Sequence, residues 1–281
     1  MDLSNENVIH VKKGEVEFLQ FRKLLEYSDR ITHAYALGTN LNFRTEEPTG
    51  EELPKDVFEK NLSDYKKFCK AIDSNYINIV RPIQRHTDKV ESVTQKCNKD
   101  FPDIFEKKYF EVDGLITNKP NLLLTTTNAD CILLMFFDPE NNIVANIHSG
   151  WKGTYQKIAV KTVYKMMEKY GSKPENVICC ICPSIRKCHF VVKSDVKEMF
   201  MEKFAYLKNI DEIIEEKIPN KEWTIDTVLI NKIILKEVGM KEENIIDSQI
   251  CNVCNADIMH SYRVEKSGYG LSAAFIEIKD Q

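Results

Sequence analysis

Cys131 and His148 are the strongest candidates in the sequence for a metal site or a catalytic pair. Two apolar runs of strand length separate them, on either side of the turn-type sequence Asp-Pro-Glu-Asn-Asn at 138–142. This pattern predicts a β-hairpin, and a turn centred near Pro139 and Glu140 places Cys131 across from His148 to within one or two positions. A thiolate beside an imidazole forms half of a transition-metal site, or a Cys-His catalytic pair.

His86 is a third candidate ligand, because it follows the predicted strand Ile77–Ile83. Three nitrogen and sulfur ligands with one open position are typical of catalytic zinc, which lowers the pKa of its bound water to about 7. Taken singly, each of His86, Cys131 and His148 is more simply interpreted as an ordinary core residue, since cysteine and histidine are often buried without a catalytic role. The predicted hairpin geometry favours the metal site.

The composition is that of a globular protein of 281 residues with 39 basic and 43 acidic side chains, a net charge of −4. This balance gives no electrostatic reason to expect nucleic acid as a partner. The first residues lack the pattern of a signal peptide, and the longest apolar run, Ile132–Phe137, is too short to cross a bilayer. We therefore expect a cytoplasmic protein with no membrane partner, whose nine cysteines are reduced thiols and metal ligands.

Hydrophobic periodicity predicts an α+β fold with mixed β-sheets, a hairpin that carries the metal site, and helices packed outside. Besides the hairpin, the predicted strands are Val8–Val11, Val16–Phe21 (or a helix start), Ile31–Leu37, Ile77–Ile83, 112–117, Asn176–Cys182, Ile245–Val253 and Leu271–Ile278. The predicted helices are Asp56–Ser74, Tyr155–Tyr170, Ser194–Tyr206 and Trp223–Val238, whereas Thr39–Lys55 is predicted to be a loop, Asn98–Lys108 a connection, and Ile210–Lys217 is ambiguous. The absence of a Gly/Ser-rich linker or a repeat favours one domain over residues 1–281.

Several motifs resemble those of the laccase-domain family, once called multicopper polyphenol oxidoreductases and now described as purine nucleoside phosphorylases. They are Gln84-Arg85-His86, Val112-Asp113-Gly114-Leu115-Ile116-Thr117, Thr127-Asn128-Ala129-Asp130-Cys131, His148-Ser149-Gly150-Trp151-Lys152-Gly153, Cys251-Asn252-Val253-Cys254-Asn255 and Ser261-Tyr262-Arg263. By matching position, the resemblance implies that His86, Cys131 and His148 bind one Zn²⁺. It also implies phosphorolysis of adenosine, inosine, guanosine and methylthioadenosine, together with deamination of adenosine.

Those implied reactions suggest roles for three more residues. Asp130 is a candidate acid or base for deamination, or else a carboxylate that orients a ligating histidine. Lys152 lies in a glycine-flanked loop entering a helix and is a candidate phosphate contact, although it could be a solvated surface charge. Arg263 is a second candidate contact to phosphate or ribose, with a surface ion pair as the alternative.

The chain departs from the family pattern at four places, none of which removes a proposed ligand. The departures are Thr87 after His86, Leu37-Gly38 after His33-Ala34-Tyr35-Ala36, Cys182-Pro183-Ser184, and Gly268-Tyr269-Gly270-Leu271.

Two cysteine pairs, Cys179-x-x-Cys182 and Cys251-x-x-Cys254, have the spacing of zinc knuckles. They would hold a structural metal only if their strands were adjacent. Strand alternation points residues 179 and 182 to opposite faces, so ordinary buried thiols are the favoured interpretation.

Other functions remain open at this point. Cys131 could be the nucleophile of an amide hydrolase with His148 as its base, and His86 would then be dispensable. The family resemblance implies two such activities, that of a deamidase and that of an enzyme of cell-wall precursor editing. A copper-dependent phenol oxidase needs several copper sites, which the six histidines of the chain do not favour. A partner-binding module without catalysis is the third possibility; the open ligand position argues against it, whereas a metal with four protein ligands would favour it. For the enzyme, purine nucleosides and phosphate are the expected partners, and a monomer is the favoured state.

Overall fold

The fold is seen in a computed structural model that describes residues 1–47, 50–104, 106–208 and 210–280. Two six-stranded mixed sheets and a small three-stranded sheet account for the strands of this part of the chain. The first large sheet has the order β1 (Val8–Lys13), β2 (Val16–Phe21), β3 (Ile31–Leu37), β15 (Ser272–Ile278), β7 (Leu123–Asn128) and β4 (Ile79–Val80).

The second large sheet carries the predicted hairpin at its centre. Its order is β14 (Ile245–Asp247), β10 (Ile178–Ile181), β8 (Ile132–Asp138), β9 (Ile143–Ser149), β6 (Gly114–Thr117) and β5 (Val90–Ser92). The small sheet has the order β11 (Val191–Val192), β13 (Glu222–Ile225) and β12 (Ile214–Ile218).

Helices connect and cover these sheets. They are α1 (Arg22–Leu25), α2 (Lys55–Ala71), α3 (Trp151–Tyr155), α4 (Ile158–Tyr170), α5 (Ser194–Phe204), α6 (Ile210–Ile213), α7 (Thr227–Glu237) and α8 (Tyr262–Glu265). Short 3₁₀ turns lie at Tyr76–Asn78, Lys107–Tyr109, Pro174–Asn176, Glu242–Asn244 and Val253–Asn255. Among the described residues, no helix combines the length and the apolar character that crossing a membrane requires.

The two large sheets stack face to face over a shared apolar core. Leu124 of β7 and Leu133 of β8 belong to this core, which explains why the central strands are apolar on both faces. The outer face of the first sheet packs against α2, and the outer face of the second packs against α4 and α7. The α+β prediction, with mixed sheets and helices outside, is therefore confirmed.

One buried polar side chain links the two sheets across this core. Asn146 of β9 donates its side-chain N–H groups to the carbonyls of Leu124 and Ala274, at 2.9 and 2.8 Å. The Thr126 hydroxyl donates to the Asn146 side-chain oxygen at 2.6 Å. Because the N–H groups and the oxygen of this amide are all hydrogen-bonded, burying the side chain costs little free energy.

The predicted hairpin is confirmed, with Leu133 opposite His148 and Ile132 opposite Ser149. The register is two residues away from a direct Cys131–His148 pair, which is within the expected margin. Helix α4 ends at Tyr170 as predicted, and Gly171 takes the left-handed conformation at φ +73°.

Four predicted elements differ from the structure. The helix predicted over Tyr155–Tyr170 begins only at Ile158, because Lys157 takes a left-handed conformation that separates α4 from α3. The helix predicted over Trp223–Val238 is wrong at its start, because Glu222–Ile225 forms β13 between β11 and β12. The helix begins only after Asp226, which caps α7 by accepting a hydrogen bond from the Leu229 N–H. The strand predicted over Ile245–Val253 ends at Asp247, before a 3₁₀ turn. The strand predicted over Ile77–Ile83 shortens to β4, since Pro82 cannot donate to a ladder.

Two other predictions cover ambiguous or partly undescribed segments. The ambiguous segment Ile210–Lys217 contains α6 and most of β12. The predicted loop Thr39–Lys55 includes positions 48 and 49, and the connection Asn98–Lys108 includes position 105, all of which lie outside the described residues.

Candidate metal centre and its cavity

The structure brings His86, Cys131 and His148 together. His86 lies in the loop after β4, Cys131 in the short connection from β7 to β8, and His148 in β9. Their ligand atoms all lie within 4.8 Å of one another, and the Cys131 Sγ is 3.8 Å from the His86 Nε2. One thiol and two imidazoles at these distances form a donor set that suits a transition-metal ion.

Asp113, at the entry to β6, fixes the loop that carries His86. Its carboxylate accepts hydrogen bonds from the backbone N–H groups of Arg85, His86 and Thr87, at 3.2, 3.0 and 2.7 Å. His86 has a φ of +59°, a left-handed conformation that costs free energy for a residue with a side chain. The three hydrogen bonds to Asp113 hold the loop in this conformation.

The same carboxylate orients His148. The His148 Nδ1 donates to the Asp113 Oδ1 at 2.7 Å, so Nε2 is the ring nitrogen that can bind a metal once it has lost its proton. Although burial alone would raise the pKa of Asp113, the hydrogen bond and the charge of His148, with the N–H of Thr87, lower that pKa to about 2. Asp113 thus stays ionised. Sequence reasoning missed this role; a lone aspartate before a glycine at the start of an apolar strand was the available signal, because a buried charge needs partners.

The charges of the centre favour the thiolate of Cys131. Burial by itself would raise the pKa of Cys131, but the charge of His148 and the hydrogen bonds from His148 and His86 lower it to about 6. For His148, burial would lower the pKa, but the Cys131 charge and the Asp113 hydrogen bond raise it to about 10. A thiolate is the form of cysteine that binds a metal ion or attacks a carbonyl carbon.

Gly150 leaves room beside all three candidate ligands. A Cβ at this position would lie 2.8 Å from the His86 Cδ2, 3.1 Å from the Cys131 Sγ and 3.4 Å from the His148 Cε1. Only a residue without a side chain fits there without displacing the donor atoms. This space and the donor set together fit a single metal ion.

The three residues line a cavity of about 640 Å³, a volume that suits a small organic molecule. Arg44, Arg81 and Arg85 also line the cavity, and they were not identified from the sequence. Arg81 is buried, its Nη atoms contact the hydroxyls of Thr45 and Thr127, and its Nε has no hydrogen-bond partner among the described residues. A buried guanidinium with a free donor provides a place for an anion.

Asp130 and Arg263 line the cavity together. The Asp130 carboxylate accepts from the Ser261 hydroxyl and from the Arg263 backbone N–H, both at 2.7 Å. Burial raises the pKa of Asp130, against the effect of these two hydrogen bonds. Asp113, not Asp130, is the residue whose carboxylate orients a candidate histidine ligand. The hydrogen bonds of Asp130 go instead to Ser261 and Arg263.

Lys152 lies in α3 but is exposed, with its Nζ 5.6 Å from the Trp151 ring. It is not one of the described residues that line the cavity, whereas its neighbours Gly150 and Trp151 are. The structure therefore brings Arg263 and Asp130 to the candidate ligands but leaves Lys152 outside.

The metal site considered for Cys179, Cys182, Cys251 and Cys254 is not formed. Cys179 packs under the helices that cover the second sheet, whereas Cys182 lies in the core between the large sheets. Strand alternation separates these two thiols, as predicted. Cys251 is buried, but Cys254 is exposed and is not an ordinary core thiol.

Comparison with known proteins places this site in a family. The chain is 28% identical over 197 residues to the protein named purine nucleoside phosphorylase YlmD of Bacillus subtilis, a match that covers 70% of this chain and 69% of that protein. It is 29% identical over 186 residues to a protein named adenosine deaminase RL5 from an unknown prokaryotic organism, covering 66% of this chain and 70% of that protein.

A solved structure shares the fold. The Bacillus licheniformis hypothetical protein YfiH superposes with a TM-score of 0.78 at 24% identity, over 93% of this chain and 96% of that one. The family model described as multi-copper polyphenol oxidoreductase laccase matches residues 50–279, which include all three candidate ligands. The chain therefore belongs to the multi-copper polyphenol oxidoreductase laccase family.

Proposed function

We propose that this protein is a zinc-dependent purine nucleoside phosphorylase that also deaminates adenosine. One observation carries the proposal: one sulfur and two nitrogen donor atoms within 4.8 Å of one another face a cavity of about 640 Å³ lined by arginines. The names of the relatives from Bacillus subtilis and from the unknown prokaryote support the same two reactions. Adenosine, inosine, guanosine and methylthioadenosine are the proposed nucleosides.

His86, Cys131 and His148 would hold the Zn²⁺. When bound, the ion supplies a Lewis acid and lowers the pKa of a coordinated water. Asp113 keeps His148 in the tautomer that presents Nε2, and it keeps the His86 loop in place. Zinc is proposed rather than copper because two imidazoles and one thiolate, with room for one further ligand, suit a single catalytic zinc.

The arginines of the cavity would bind phosphate. Arg81 is the strongest candidate, because its guanidinium is buried without a carboxylate within ion-pair distance among the described residues. The Arg44 guanidinium carbon lies 4.1 Å from the centre of the Tyr269 ring, and this stacking fixes the position of a second arginine that lines the cavity. Binding of a phosphate dianion would compensate these positive charges and orient the anion for attack on the ribose C1′. We assign phosphate to these residues rather than to the exposed Lys152.

Asp130 and Arg263 would act at the nucleoside. The raised pKa of Asp130 suits a group that moves a proton between the purine and solvent. Arg263 lines the same cavity and is held by the contact of its backbone N–H with Asp130, so its side chain can bind the ribose or the phosphate. We also place the enzyme in the cytoplasm, where its nine free thiols would stay reduced.

Product analysis with adenosine tests this proposal. Phosphorolysis converts adenosine and phosphate into adenine and ribose 1-phosphate, whereas deamination converts adenosine and water into inosine and ammonia. The wild type should form adenine only with phosphate present. It should form inosine without phosphate, and inosine together with hypoxanthine when phosphate is present, because inosine is itself a proposed substrate of phosphorolysis. Cys131→Ser should lose both products, while Cys97→Ser, an exposed thiol outside the cavity, should retain them. Absence of both products from a wild type that contains zinc would contradict the proposed reactions.

A second function is favoured by the Cys131, His148 and Asp113 geometry. A thiolate, an imidazolium and a carboxylate that holds the imidazole at 2.7 Å also form the catalytic group of a thiol-dependent amide hydrolase. In that enzyme His86 would be a bystander, and His86→Ala would keep its activity on an amide substrate. As a metal ligand, His86 is essential.

A further inference from the structure

Three thiols and one imidazole form a second cluster of candidate ligands, outside the cavity. The cluster consists of Cys188, His189, Cys251 and Cys254, whose ligand atoms all lie within 4.8 Å of one another. We propose that these four residues bind a second Zn²⁺ with a structural role. None of the four is among the residues that line the cavity of the first site.

The distances within the cluster match a tetrahedral zinc site. The Nδ1 of His189 lies 3.2 Å from the Cys188 Sγ and 3.6 Å from each Sγ of Cys251 and Cys254. The two sulfur atoms of Cys188 and Cys251 are 3.8 Å apart. With Zn–S near 2.3 Å and Zn–N near 2.0 Å, an ideal tetrahedron has edges of about 3.8 Å between sulfurs and about 3.5 Å from sulfur to nitrogen.

The backbone brings the two halves of the cluster together independently of any ligand. The Ser184 N–H donates to the Ile250 carbonyl at 3.3 Å, and the Asn252 N–H donates to the Ser184 carbonyl at 3.2 Å. This bridge aligns the segment before Cys188 with the segment that carries Cys251 and Cys254. The four side chains are therefore positioned by the fold itself.

An ion pair reinforces the same arrangement. The Arg186 guanidinium makes two parallel hydrogen bonds to the Asp247 carboxylate, at 2.8 and 2.6 Å. This bidentate pair ties the turn that carries Cys188 and His189 to the end of β14. A site positioned in this way loses little conformational freedom when it binds an ion.

The donor set indicates a closed, structural site. Three thiols and one imidazole supply all four ligands of tetrahedral zinc, so no position remains for a substrate, whereas the first centre has only three protein ligands. Cys188 and Cys254 are exposed, which gives the ion a path from solvent.

The position of the cluster explains what the metal would stabilise. Phe190 and Val191 follow the ligands Cys188 and His189 directly, and they line the cavity. Arg263, on the segment that follows Cys254, donates to the Val191 carbonyl at 3.5 Å. The second zinc would therefore hold together two segments that form one wall of the cavity.

Elemental analysis of the purified full chain tests the inference independently of nucleoside turnover. The wild type should contain about two zinc ions per chain, and both Cys254→Ser and Cys188→Ser should contain about one. Because residues 188 and 254 are exposed, these substitutions should leave the far-UV circular dichroism unchanged. Cys97→Ser, an exposed thiol outside both clusters, is the matched control and should keep both ions.

Two further measurements make the test decisive. Cys254→His should contain about two zinc ions per chain, one more than Cys254→Ser, because histidine can replace cysteine as a ligand in a tetrahedral site. Cobalt loaded into Cys131→Ser should give intense thiolate-to-metal charge-transfer absorption from the remaining three-thiol site. The inference is wrong if Cys188→Ser and Cys254→Ser keep the zinc content of the wild type, or if the chain purified with zinc contains a Cys188–Cys251 disulfide. Loss of zinc from Cys131→Ser alone would leave the first centre as the sole metal site.

Discussion

Asp113 connects the two histidines of the candidate metal centre. It accepts hydrogen bonds from the backbone before and after His86 and from the His148 ring. One buried carboxylate thus determines both the conformation of a loop and the tautomer of a ligand. A neutral amide at this position would keep the shape of the side chain but lose its charge and part of its acceptor capacity.

Asp113→Asn should weaken zinc binding at the first centre by about 10- to 100-fold, because partners that orient ligands typically contribute that much to metal affinity. Competition with a chromophoric chelator measures the change. Glu111→Gln, an exposed carboxylate two residues earlier, is the control and should bind zinc as the wild type does. Unchanged affinity in Asp113→Asn would show that Asp113 does not support the ligands.

The sequence was sufficient to predict that Cys131 and His148 lie close together, because a short turn fixes the register of a hairpin. It could not predict the arginines of the cavity. Arg44 and Arg81 come from segments that approach the hairpin only through packing between elements, and no local pattern records such contacts. Lys152 shows the converse case, since a glycine-flanked lysine before a helix is locally typical of an anion site but is exposed here.

Asn146 of β9 joins the two large sheets, because its side chain is hydrogen-bonded to β7 and β15 of the other sheet. Asn146→Ala would leave the Leu124 and Ala274 carbonyls and the Thr126 hydroxyl without their partner in a dry core. We expect a loss of about 2–4 kcal/mol in the free energy of unfolding, measured by urea denaturation.

Thr126→Val is the graded comparison, because it removes one of the three hydrogen bonds while keeping the side-chain shape. Its cost should be smaller, about 1–2 kcal/mol. If Asn146→Ala unfolds at the same urea concentration as the wild type, the amide does not link the sheets.

The pairing of β2 and β3 should make stability depend on pH through His33. Burial lowers the pKa of His33 to about 3, and its Nε2 accepts a hydrogen bond from the Phe21 N–H at 2.8 Å. The unfolded chain binds a proton below its ordinary pKa of about 6.5, whereas the folded chain does not until about 3. The free energy of unfolding should therefore fall as the pH drops through this window.

Urea denaturation between about pH 7 and pH 4.5 measures this effect against His33→Gln, whose side-chain oxygen can also accept from the Phe21 N–H. The wild type should lose up to about 1.4 kcal/mol per pH unit more than the variant below pH 6.5. Parallel pH dependence of the two proteins would mean that His33 is protonated in the folded state.

Helices and strands with strong local signals were predicted correctly, whereas those with weak signals were not. The hairpin and α4 were found because their apolar periodicity ends at clear turn residues, Asp138–Asn142 and Gly171. The Trp223–Val238 prediction merged a strand with a helix, because Glu222–Ile225 becomes a strand only through its pairing with β11 and β12. The capping aspartate at position 226 was the local signal that could have divided them.

The three candidate metal ligands lie together at one end of the stacked sheets. The connection from β7 to β8, the end of β9 and the loop after β4 supply the three candidate ligands, while the shared core below them is apolar. The second cluster joins the segments that form one wall of the cavity. We therefore propose that residues 1–281 act as a single domain in which a rigid two-sheet core positions a metal and a structural metal secures the wall beside it.

We propose that His86 completes a zinc site required for nucleoside turnover. Zinc content and adenosine conversion should be measured together in His86→Ala, with His10→Ala in β1 as the matched control. His86→Ala should lose about one zinc ion per chain and form neither adenine nor inosine, whereas His10→Ala should keep both properties. If His86→Ala retains the zinc content and the adenosine turnover of the wild type, His86 is not a ligand of a zinc ion that turnover requires.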